Sequence, residues 1–260
     1  MNDRLSKRKI KRLLCDNKFD IKVLKSVNST NTYLKQSALK GAAEGTVVIA
    51  DSQTDGTGRF NRKFYSPKGT GIYMSILAKP SIPADKGVTI TAAAAVAVAK
   101  AVEKLSQREV QIKWVNDLLI DKKKFCGILT SGSVNQKGYF DWVIIGIGAN
   151  IYRPKEDFSS EIKDIATYVF HKKKRNLRNR LSAEIITAFF EILSSYEEKA
   201  FLDDYKKRSI AVNKEIEVLK NGKSLNAVAL SIDDNCRLLV KYPDGEEEYL
   251  SSGEISIKLQ

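Results

Sequence analysis

The chain has 260 residues, 43% hydrophobic and 29% charged, a composition that folds and that suits one main domain with a small appended module. With 44 Lys and Arg against 31 Asp and Glu, the formal net charge is +13; this attracts nucleic acid, anionic lipid, phosphates or acidic proteins without choosing among them, and a general bias towards lysine gives the same count. No apolar run reaches the roughly 18 residues of a membrane span, residues 1–11 lack the apolar core of a signal peptide, and Cys15, Cys126 and Cys236 make neither a disulfide framework nor a zinc site, so a soluble cytoplasmic protein is expected, with no membrane role.

Residues 1–19 read as a basic N-terminal arm, helical over at most ten residues and too short for a helix-turn-helix domain; a ragged terminus is expected there. A strand follows over Asp20–Val27. Ser29-Thr30-Asn31 ahead of Tyr33–Leu39 is a helix N-cap signal. Val47–Ala50 is a β-branched strand that runs from Asp51 into the loop QTDGTGRFNRKFYSPKGTG, and Ile72–Leu77 is the next strand. Thr91–Leu105, rich in Ala and Val, predicts a buried helix against the sheet. Val110–Trp114 is a strand, with Lys113 and Val115 on one face; Leu118–Asp121 and Phe125–Thr130 predict a hairpin, and Val143–Ile147 a buried strand. Leu181–Ala200 has the spacing of one amphipathic helix.

Beyond Tyr205 the texture changes to short alternating runs, Glu215–Leu219, Asn226–Ile232, Leu238–Tyr242 and Glu254–Leu259, divided by Asn221-Gly222, Asp233–Asn235 and Asp244-Gly245. Tight turns between short strands predict a small barrel or sandwich, with a boundary near Arg208. The expected architecture is α+β: a domain over 1–208 and a β module over 209–260.

Three segments carry chemistry. Gly56 and Gly58 bracket Thr57 and precede Arg59 and Arg62, so backbone N–H groups could turn inward as an anion nest beside forked guanidinium donors; the same residues also describe a surface loop. Lys113 ends a strand before Asn116-Asp117, where an ammonium could stabilise charge developing at a phosphate, or could be an exposed turn lysine. Gly146 and Gly148, followed by Asn150, let a flat ligand approach the backbone or mark a bulge, and do not match GxGxxG before a helix.

Taken in order, STN at 29–31, ADSQTDGTGR at 50–59, SPKGTGIYMS at 66–75, KWVND at 113–117, KKFCGIL at 123–129 and GIGAN at 146–150, with GEISIK at 253–258, resemble the biotin protein ligase family. The resemblance implies a mixed β-sheet flanked by helices, like the catalytic domain of class II aminoacyl-tRNA synthetases, followed by an SH3-like β-barrel. It implies ATP-dependent activation of biotin to biotinoyl-5′-AMP and transfer to a lysine of a biotin carboxyl carrier protein, with ATP and biotin as substrates and Mg²⁺ at the phosphates. A lipoate or octanoate ligase, or a family member that binds biotin without turnover, is the alternative.

By the same resemblance Ser29, Thr30, Asn31, Gln53, Gly56, Gly58, Arg59, Lys113, Gly127, Gly146 and Gly148 would bind biotin, Thr57, Arg59, Arg62, Lys63, Asn116 and Asn150 the adenylate, and Lys113 and Arg59 would be catalytic, with no resident metal ligands. Thr57 stands where the family usually has arginine, Asn61 where it has glycine and Val115 where it has proline; the first predicts weaker retention of the intermediate. His171, inside HKKKR, is given no role. Neither operator binding nor a DNA-binding domain is expected, and a homodimer is possible for the family.

Overall fold

The computed structural model describes residues 3–14, 18–220 and 222–257. Cys15, Asn221 of one predicted turn and Lys258–Leu259 of the last predicted strand lie outside them. The first seven strands, β1 (Asp20–Leu24), β2 (Thr46–Ala50), β3 (Gly71–Ala78), β4 (Gln111–Lys113), β5 (Asp117–Ile120), β6 (Lys123–Val134) and β7 (Phe140–Asn150), form one sheet. Its order is β1-β2-β3-β7-β6-β5-β4, with β1 and β2 parallel and every other pair antiparallel.

Strand alternation gives this sheet two unlike faces. Val47, Ile49, Met74, Ile76, Val143 and Ile145 point into the main core, where α3 (Gly87–Ser106) lies with its alanines fully buried. A helix apolar on all sides needs cover on all sides, and α4 (Leu177–Ser194) and α5 (Phe201–Arg208) supply it. Among the described residues, the one helix on the opposite face is α2 (Thr30–Leu39), packed through Leu34 and Ala38 on Val48, Leu77 and Ile144. Beyond α2 this face is left open for the cavity described below.

Three expectations are corrected and one is met. The N-terminal arm is not ragged: α1 (Lys7–Leu14) docks on α4 through buried Ile10 and Leu14, spaced i,i+4, with Leu5 buried ahead of it. The helix predicted over Leu181–Ala200 starts at Leu177 and stops at Ser194, where the Ser194 and Ser195 hydroxyls both bond to Glu191 O in competition with the helical ladder; the chain resumes as α5 after Lys199 at φ 53°. Lys113 and Val115 do not share a strand face, because β4 ends at Lys113 and Trp114 and Val115 are both buried in the turn beyond it. The predicted hairpin does turn at Asp121-Lys122, both left-handed, as a two-residue connection requires.

After Ser209 the chain builds an antiparallel sheet of β8 (Lys214–Lys220), β9 (Lys223–Ile232), β10 (Leu238–Lys241), β11 (Glu247–Leu250) and β12 (Glu254–Ile257), ordered β11-β10-β9-β8-β12. The alternating apolar residues put Ile216, Val218, Ala227, Ala229, Val240 and Ile255 into the core, continuous with that of the first sheet. Trp114 Nε1 donates to Cys236 O across this junction at 2.9 Å.

Candidate active site

A cavity of about 590 Å³ opens over the α2 face of the large sheet. Its floor is formed by two cross-strand pairs, Gly146–Leu129 and Gly148–Gly127, next to buried Ser75 and Tyr73 in register on β3. Each glycine makes room for a particular group: a Cβ on Gly146 would lie 2.3 Å from Asn31 Oδ1, one on Gly148 2.7 Å from the Phe64 ring, and one on Gly127 3.2 Å from Lys124 Nζ. The glycines therefore let an amide, an aromatic ring and an ammonium settle directly on the sheet.

At one end the groups are uncharged. Ser29 caps α2, which turns Thr30 and Asn31 onto the sheet. Thr30 N and Oγ1 both donate to Gln53 Oε1, at 2.9 and 3.1 Å, and Gln53 Nε2 donates to Ser66 Oγ at 3.0 Å. Ser75 Oγ reaches Thr30 Oγ1 at 2.8 Å and Asn31 Oδ1 at 2.5 Å. Side chains held this firmly present fixed donors and acceptors, which suits a neutral polar ring that must not be buried unpaired.

The other end is cationic. Arg59 Nη1 donates to Asn116 Oδ1 at 2.9 Å and Nη2 to Gly253 O at 2.8 Å, while Asn116 Nδ2 is held by Ile128 O. Lys124 pairs with Asp117 at 2.7 Å. Arg59, Arg62, Lys63, Lys113, Lys122 and Lys124 line the cavity against two carboxylates, Asp117 and Asp164, so its field favours an anion. Lys113 is half-buried, and its ammonium group has no hydrogen-bond or ion-pair partner among the described residues. Burial pushes the Tyr73 phenol and the Cys126 thiol far above their ordinary range, so both stay protonated beneath the site.

The glycine- and arginine-rich loop is a small hairpin rather than a nest. Thr57 and Lys63 bridge, Gly58 N bonds to Arg62 O and Phe64 N to Gly56 O, so these N–H groups are spent within the loop. The left-handed residues are Phe60 and Asn61, at φ 55° and 57°. Asparagine tolerates that region better than most residues, which accounts for Asn61 in a glycine position. Thr57 is exposed and its hydroxyl donates to Asp55 O.

Of the residues singled out from the sequence, Ser29, Thr30, Asn31, Gln53, Thr57, Gly58, Arg59, Arg62, Lys63, Lys113, Asn116, Gly127, Gly146, Gly148 and Asn150 line this one cavity. Gly56 does not: it is buried, where a Cβ would lie 2.7 Å from Phe64 O and Ser66 Oγ, so it closes the base of the loop. Sequence reasoning missed Lys124, whose signal was the lysine run before CGIL, and Asp117, its partner. It also missed Ile162, Asp164, Ile165 and Ala166, and Ile255, Ser256 and Ile257, in the wall, which no local pattern marks.

Comparison with known proteins adds three findings. Residues 23–150 match the model of the biotin/lipoate A/B protein ligase family, and residues 212–258 that of the biotin protein ligase C-terminal domain. The chain is 33% identical to the bifunctional ligase/repressor BirA of Bacillus spizizenii, over 87% of this chain and 70% of that protein, and 28% identical to the biotin–[acetyl-CoA-carboxylase] ligase of Mycobacterium tuberculosis, over 90% and 87%. Its fold superposes with a TM-score of 0.75, at 25% identity, on a biotin protein ligase from Aquifex aeolicus in complex with biotin and ATP, covering 93% of this chain and 99% of that one.

Proposed function

This chain belongs to the biotin protein ligase family, and on that premise we propose that its cavity activates biotin with ATP to biotinoyl-5′-AMP and passes the biotinoyl group to a lysine of a biotin carboxyl carrier protein. The observation that carries the reading is the joining of two unlike ends in one cavity, neutral hydrogen-bonding groups on Gly146 and a cluster of cations beside Gly127. A ureido ring fits the first and phosphates the second.

In the first step a carboxylate oxygen of biotin attacks the α-phosphorus of ATP and the bond to pyrophosphate breaks. Both reactants are anionic, so the chain's work is to bring them together and stabilise charge on the phosphoryl oxygens. Arg59, fixed by Asn116, and the ammonium groups of Lys113 and Lys124 serve that role. Lys124 is seated on the floor itself, over Gly127. Mg²⁺, which usually arrives on phosphate oxygens with few protein carboxylates, would neutralise them further; Asp117 and Asp164 are the carboxylates that fit it.

In the second step the carrier's lysine amine attacks the acyl carbon, AMP leaves and the amine loses a proton. No protein nucleophile is required. The test is exchange of labelled pyrophosphate into ATP with biotin or lipoate as the only acid. Biotin should support exchange and lipoate should not; exchange with lipoate alone would overturn the assignment.

A further inference from the structure

A second cavity, of about 390 Å³, lies at the root of the glycine- and arginine-rich loop, and its lining among the described residues is all charged, five cations with Asp3 and Asp51. Its floor is Arg178, 4% exposed. The guanidinium donates to Asp51 Oδ1 at 2.7 Å, to Gly71 O at 3.2 Å and to Asp3 O at 2.8 Å, with Nε against Asp3 Oδ2 at 3.3 Å. Asp51 follows β2 and Gly71 opens β3, so one buried cation ties together both ends of the loop that carries Gln53 and Arg59. Asp3 is held further by the Tyr152 hydroxyl at 2.8 Å.

Both carboxylates are thus committed to Arg178, and the mouth is left to lysines. Lys25 follows β1, Lys68 sits at the far end of that loop, and Lys173 comes from the basic run 171–175 before α4, which the ligase chemistry does not use. All three are exposed, and none of their ammonium groups has a hydrogen-bond or ion-pair partner among the described residues. Converging like charges raise the local potential, which a multiply charged anion relieves.

We propose that this cavity is a second anion site, which takes a polyphosphate such as pyrophosphate on Lys25, Lys68 and Lys173 above the Arg178 floor. It is separate from the site over Gly146 and does not depend on the ligase assignment. Its volume admits a ligand larger than a single phosphate.

Calorimetric titration of the whole protein with inorganic pyrophosphate, free of Mg²⁺ and at constant ionic strength, tests the proposal. Replacing the three lysines together, K25A/K68A/K173A, should weaken binding by about tenfold or more, whereas Lys223→Ala, an exposed lysine of β9 that lines neither cavity, should change it by less than about threefold. A triple variant that binds within about threefold of the parent, a Lys223→Ala that weakens binding as much as the triple variant, or no saturable binding at all, would overturn it.

Discussion

Gly146 and Asn31 occupy the same space. Gly146→Ala would press a methyl group onto the Asn31 amide, which would have to leave Ser75. Losing that aligned donor and acceptor costs about 1–3 kcal/mol, so KM for biotin should rise about 10- to 100-fold with little change in kcat; an unchanged KM would refute the placement of the ring. Lys124→Met should lower kcat/KM in pyrophosphate exchange by about 100-fold or more, and Lys113→Met by less, because only Lys124 is seated over Gly127. The reverse order would restore Lys113 to the role the sequence suggested. At Thr57, whose hydroxyl is turned to Asp55 O, arginine would add a cation to the loop. Thr57→Arg should slow release of biotinoyl-AMP, read as its half-life on the protein, and equal half-lives would dispose of that idea.

Among the elements, those with a clear period were legible. Runs of β-branched and apolar residues marked β2, β3 and β7, alternation marked β8, and the alanine run marked α3, each within a few residues of its ends. α5 and β11 were not, for physical reasons: FLDDYKKR is mostly charged, and EEYL is an edge strand with one buried residue, Leu250. Of the site, the glycines and polar motifs could be read, whereas what sits on each glycine depends on register and could not. α5 earns its place through Arg208, which grips both Glu103 oxygens on α3 at 2.6 and 2.9 Å. Burial raises the Glu103 carboxyl, but Arg208 and the Val110 N–H outweigh it and hold its pKa below the usual carboxylate value. A depressed pKa contributes stability that is present above the unfolded value and lost as pH falls through the folded one. Glu103→Gln should therefore cost about 1–2 kcal/mol at neutral pH by denaturant titration, and the gap should narrow as pH falls below the ordinary glutamate value of about 4.3. A gap independent of pH would argue against it.

For the molecule as a whole, the two sheets share one site. Arg59 of the loop bonds to Gly253 O ahead of β12, Ile255–Ile257 stand in the cavity wall, and Ile210 N bonds to Ile112 O at the junction. The change of texture after Tyr205 showed where the second sheet begins but not that it completes the cavity, because that contact joins residues 194 positions apart. The N-terminal segment is likewise built in, through Asp3 and Arg178, where the sequence showed only charge. All these parts converge on transfer of biotin to a carrier lysine. The most direct measurement is the intact mass of a biotin carboxyl carrier domain after incubation with this protein, biotin, ATP and Mg²⁺. The carrier should gain one biotinoyl group, with no gain when ATP is omitted or the acceptor lysine is replaced; an unchanged mass in the complete mixture would contradict the account.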